Sequence, residues 1–139
     1  MRHTLLLLTI FALVGCKASS SSTTMVNATP SFLSNFAAGT RVVFLDKKVK
    51  NIELTKLDEV HGFFQCVEFV PFEKDSSIHC MCDGGPLVEV YAEDKKIGTF
   101  TLHHGESIRW DAYDTDLRLT KASSAKLTTF LKKHKITNP

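Results

Sequence analysis

The sequence predicts an α+β fold: a mostly antiparallel sheet of five to seven strands, with a short N-terminal helix and a C-terminal helix packed on the sheet. Three observations lead there. Residues 87–93 and 97–104 alternate apolar and polar side chains, the period of an extended chain, on either side of Asp94-Lys95-Lys96. Residues 30–39 and 120–134 instead space their apolar side chains three and four apart, the period of a helix. Apolar residues at 43% and charged residues at 23% are the proportions of an ordinary globular chain, neither disordered nor a polytopic membrane protein.

The elements follow in order. Pro30 opens a short helix with Phe32, Leu33 and Phe36 on one stripe, and Gly39 stops it. Val42-Val43-Phe44-Leu45 is β-rich, Ile52-Glu53-Leu54-Thr55-Lys56 alternates, and the two pair through residues 47–51. Residues 62–70 carry apolar side chains on both faces of an extended chain, which predicts a central strand limited by Pro71. Residues 76–82 form a further short strand, and Asp83-Gly84-Gly85-Pro86 is a turn. In the hairpin, a register with Val90 opposite Phe100, Val88 beside Leu102 and Ala92 beside Gly98 gathers the apolar side chains on one face. Its three-residue loop lacks the glycine such loops prefer at their last position. Residues 107–110 make another strand. Thr120 caps a helix running to about His134, with Leu127, Phe130 and Leu131 as its apolar stripe. Lys132, Lys133 and Lys135 end that helix, where they are solvated and complement its dipole. No internal repeat is visible.

The N-terminus is read differently. Met1-Arg2-His3 is a short basic leader before an apolar run over residues 5–14, too short to span a bilayer and suited to the core of a signal peptide. The run closes in Leu13-Val14-Gly15-Cys16, which resembles the lipobox of bacterial lipoproteins. The resemblance covers the first sixteen residues only. It implies removal of residues 1–15 and alkylation of the Cys16 thiol by a diacylglycerol, with the new amino group acylated as well. It also implies an outer-membrane location facing the periplasm in a cell with two membranes, because Lys17 and not Asp follows the cysteine. Residues 16–29 then form a lipidated Ser/Thr-rich tether with a reach of roughly 20 Å, and residues 30–139 a single domain. Loss of residues 1–15 removes Arg2 and leaves sixteen basic against fifteen acidic side chains, a balance that gives no reason to expect nucleic acid. The partners expected are the membrane, through the anchor, and an envelope protein. No cofactor is expected beyond the lipid on Cys16.

The remaining cysteines, Cys66, Cys80 and Cys82, are odd in number and reach an oxidising compartment. If residues 62–70 pair with residues 76–82, Cys66 falls opposite Cys80, with Cys82 further along the same face. The expectation is a disulfide from Cys66, to Cys80 ahead of Cys82, stabilising the fold by roughly 3 kcal/mol through a loop of about fifteen residues. The rival is a copper(I) or zinc site built from His79, Cys80, Met81 and Cys82, joined by His103, His104 or His61. Against it, Cys-x-Cys lacks the wrapping spacing of Cys-x-x-Cys, and alternation divides the four ligands between two faces. The hairpin register puts His104 on the core face and His103 at the surface beside Leu87, paired to Glu89. No residue is assigned to catalysis, since nothing orients a Cys-His pair. Asp111, Asp114 and Asp116 lack the glycine and closing glutamate of a calcium loop and read as solvated turn residues. Trp110 reads as core or rim packing, with a recognition patch of Arg109 and Trp110 as the alternative.

Residues 79–110, with Cys-x-Cys-x-Gly-x-Pro, Leu-His-His-Gly and Ile-Arg-Trp, are similar to segments of uncharacterised bacterial proteins, a likeness that implies no activity. The functional expectation is a membrane-anchored lipoprotein with a non-enzymatic binding or envelope-support domain; the alternative is a cell-envelope metal-binding lipoprotein using the Cys/His cluster.

Overall fold

A computed structural model describes residues 27–46, 50–71, 81–82, 84–113 and 115–137. The chain order is α1 (Thr29–Asn35), β1 (Arg41–Leu45), β2 (Ile52–Leu54), α2 (Leu57–Phe64), β3 (Leu87–Ala92), β4 (Lys95–His103), β5 (Ser107–Arg109), β6 (Leu117–Arg118) and α3 (Lys121–Lys133). The six strands form one antiparallel sheet in the order β2-β1-β3-β4-β5-β6. This is the α+β class that the alternating and helical segments predict.

One row of side chains explains why the sheet is amphipathic. Leu54 lies opposite Val42, Val42 opposite Val90, Phe44 opposite Val88, Val88 opposite Phe100, Leu102 opposite Ile108 and Ile108 opposite Leu117. All of these are buried, and they share one hydrophobic cluster with Phe32 and Phe36, with Val60 and Phe63 of α2 and with Leu127 and Leu131 of α3. Aromatic rings join the layers: Phe63 meets Phe44 edge-on at 5.3 Å, and Phe32 meets Phe100 at 5.0 Å and Trp110 at 5.4 Å. Trp110 is thus a core residue, as its size predicts. No described helix is long and apolar enough to cross a membrane.

Three expectations are corrected. Residues 57–64 form α2 and residues 62–70 are not a central strand. Asp58 and Glu59 lie in the first turn of α2, favourable to its dipole, and Val60 and Phe63 are spaced to bury one stripe. Only an isolated bridge from Phe69 to Leu119 is extended pairing there. The hairpin register also moves by two residues, which preserves the faces: Val88, not Val90, lies opposite Phe100, and Val90 lies opposite Gly98. A small residue suits that place, because a Cβ on Gly98 would stand 2.8 Å from the Phe36 ring. The turn is Glu93-Asp94, with Glu93 at φ 55, and one extra residue of β4 is absorbed between the Val90–Gly98 and Tyr91–Lys96 pairs. Finally, Leu117 and Arg118 add a sixth strand. Of the strand expected over residues 76–82, Met81 and Cys82 are not extended pairing partners, and the rest lies outside the described residues.

Candidate functional site

The site forms where β4 runs past the start of β3. Because Leu87 pairs with Thr101, His103 lies two residues further on and has no β3 residue opposite it. Its neighbours come instead from Cys82 and Gly84, and the next two residues run back along β4: Gly85 N–H donates to Leu102 O, and Leu102 N–H donates to Pro86 O at 3.3 Å. His103 points to the face opposite the helices, yet this strap covers it and leaves it 1% exposed. Gly84, at φ 74, backs onto the ring so closely that a Cβ there would stand 2.6 Å from Nε2.

Beyond His103 the chain turns into β5. His104 and Gly105 have φ 52 and 67, and Glu106 N–H donates to His103 O at 2.9 Å, closing a tight turn within the three-residue connection that the His103–Ser107 pair leaves between β4 and β5. His104 is exposed. The Cys82 sulfur stands 3.3 Å from His103 Nδ1 and 3.2 Å from His104 Nε2. Cys82 is disulfide-bonded.

The two histidine expectations are therefore exchanged. His103 is buried against Gly84 and Cys82, and His104 leaves the core face because its backbone belongs to the turn. Glu89 is held by Tyr91 Oη–H at 2.6 Å and Lys96 Nζ at 3.0 Å, not by His103. Those two donors, Tyr91 first, lower the Glu89 carboxyl below its usual value.

The Cys66 bridge is corrected as well, since Cys66 is a free thiol. The pairing that would bring it to Cys80 required a strand where α2 and its C-terminal turn stand. Its S–H donates to Gly62 O at 3.2 Å, and burial raises its pKa, a combination that makes for a weak nucleophile. Cys66 lines a shallow groove with Gly62, Gln65, Lys126 and Phe130, between α2 and α3. His61, also exposed, lies in a neighbouring hollow with Leu33, Phe36 and Phe64. Met81 is 96% exposed. Cys16, His79 and Cys80 lie outside the described residues. Of the sequence candidates, the structure thus brings together Cys82, His103 and His104.

Asp116 was expected to be solvated, and is not: Arg109 grips it through Nε at 2.7 Å and Nη2 at 3.1 Å, which raises the Arg109 pKa. Asp111 is exposed, and Asp114 lies outside the described residues. Two polar ties escaped the sequence reading. Ser123 Oγ–H donates to Cys66 O and accepts from Glu68 N–H, and Thr29 Oγ1 accepts from Phe69 N–H at 2.8 Å. Hydroxyls 40 or more residues from their partners leave no local signal for such contacts. No family model, curated protein or solved structure matches the chain.

Proposed function

We propose that this protein is a membrane-anchored bacterial lipoprotein, cut before Cys16 and lipidated there, whose domain is a non-enzymatic binding or envelope-support module held beside the bilayer. The observation that carries the reading is Leu13-Val14-Gly15-Cys16 closing the apolar run over residues 5–14. Ala28, inside the expected tether, is already fully buried and Thr29 opens α1, so packing begins two residues before Pro30. The described groups with displaced pKa values are engaged in contacts that hold the fold. Glu89 serves a cross-strand cluster, Arg109 an ion pair with Asp116, and Cys66 a buried thiol, each at its own place in the fold. A second reading, copper or zinc binding by the domain, is favoured by the approach of two imidazole nitrogens to Cys82.

Intact-mass measurement of the mature protein tests the anchor. Loss of residues 1–15 with added acyl mass is expected, and Cys16→Ser should abolish both. A soluble, unacylated form as the main species would overturn the proposal.

A further inference from the structure

The helix layer carries a trough well away from the sulfur–imidazole cluster. The groove between α2 and α3 has a volume of about 630 Å³ and is lined by Gly62, Cys66 and Phe130, with Lys126 and Lys133 from α3. A hollow of about 240 Å³ between α1 and α2 is lined by Leu33, Phe36 and Phe64. Gln65 lines both, so the two adjoin. Leu33, Phe64, Cys66 and Phe130 are partly buried and pack against the core, which leaves apolar surface along the trough. Gly62 keeps it open: a Cβ there would stand 3.6 Å from Phe130 Cε2, in ordinary contact, so any longer side chain would extend into the groove.

The charge along this trough is one-sided. Lys126 and Lys133 lie two helical turns apart, and no acidic side chain lines the groove with them. Neither lysine enters a salt bridge among the described residues. The Lys126 charge reaches the Cys66 thiol, where it offsets part of the rise in pKa that burial causes. Residues 117–137 carry six basic side chains and no acidic one, so a positive potential surrounds the groove and favours the arrival of an anion. Beyond Gln65 the hollow is apolar except for His61. A docked protein helix would set apolar and charged side chains next to one another along its length, whereas here cations stand at one end and hydrocarbon at the other. That arrangement complements a molecule with one anionic head and one apolar tail. We propose that the trough binds a fatty-acid carboxylate, its head held by Lys126 and Lys133 and its tail laid across Gly62 and Phe130 towards Leu33 and Phe64. Ammonium groups donate charge-assisted hydrogen bonds to the carboxylate, and burial of the tail supplies the rest of the affinity. The proposal rests on reading the domain as a binding module, and not on the anchor: lipidation is read by mass and the trough by titration, so either can fail alone.

Calorimetric titration of the full chain carrying Cys16→Ser with dodecanoate, below its micelle concentration, tests the site. One dodecanoate per chain is expected, with a Kd on the order of 10–100 μM. Dodecyltrimethylammonium has the same tail and the opposite charge, and should bind at least about 10-fold more weakly. Peptide-resolved maleimide labelling of Cys66 should slow as dodecanoate saturates, which places the ligand in the groove. Lys126→Gln with Lys133→Gln should weaken dodecanoate by about 10-fold, and Lys121→Gln, which removes a charge of α3 outside the groove, should leave it within about twofold. Gly62→Leu should weaken it by more than about 10-fold; Gly62→Ala, which fits without displacement and favours the helix, should weaken it less while keeping the fold intact. Equal affinity for the two amphiphiles, an unchanged rate of Cys66 labelling, or wild-type affinity in both Gly62 variants would overturn the proposal. So would binding seen only with micelles or vesicles, which would make the lysine face a membrane contact and not a fatty-acid site.

Discussion

Gly84 meets two demands that no other residue meets together. Its φ of 74 lies in the left-handed region, and the missing Cβ leaves room for the His103 ring, which would otherwise be 2.6 Å away. Gly84→Ala is therefore expected to destabilise the domain by about 1–3 kcal/mol, read as a lower urea midpoint with an unchanged slope. An unchanged midpoint would show that residues 84–86 are not held against β4. At this scale the sequence was half legible. Asp83-Gly84-Gly85-Pro86 announces a turn, but not that the turn covers a histidine. Alternation put His103 correctly on the face away from the helices, and failed because it treats such a face as wet. The burial comes from a segment some twenty residues earlier, which no local pattern records.

Among the elements, α3 was read closely and α2 was missed, and the difference is physical. α3 has thirteen residues, a Thr120 cap whose Oγ1 accepts from Ser123 N–H at 3.1 Å, and lysines in its last turn. These are start, stripe and stop signals in agreement. Thr120→Ala should cost about 1 kcal/mol and Thr120→Ser much less, measured by chemical denaturation; equal losses would mean that the hydroxyl does not cap the helix. α2 has eight residues with Gly62 inside them and an apolar run continuing past its end through Val67, Phe69 and Val70. So short a helix shows barely two turns of periodicity, and the following extended segment supplies the β-like side chains that outweighed it. With α2 misread, the geometry placing Cys66 opposite Cys80 had no basis. The β3–β4 pair was recognised from its alternation, yet its register was fixed by a two-residue turn and a bulge. A shift of two leaves the hydrophobic face intact, so hydrophobicity alone could not choose.

Across the whole molecule, every helix and every strand of the sheet contributes to one core on one side of the sheet. Phe63 stands near its middle, in ring contact with Phe44, Phe64, Phe100 and Phe130. Phe63→Ala should cost about 3–5 kcal/mol, a large share of the roughly 5–15 kcal/mol that keeps a domain of this size folded. Near- and far-ultraviolet circular dichroism should lose signal together on heating, since no layer has a core of its own; separate transitions would contradict a shared core. The class of fold was legible because that single core imposes its periods on long segments, whereas the sulfur–imidazole cluster, built from a strand end and turns, imposes none. The sheet's borders carry a last implication. β2 has three residues, β6 has two, and residues 68–70 bond across β6 through Val70 N–H to Arg118 O and Thr120 N–H to Glu68 O. Exposed strand borders are where copies of a sheet protein pair edge to edge, and borders this brief give neighbouring copies little to zip onto.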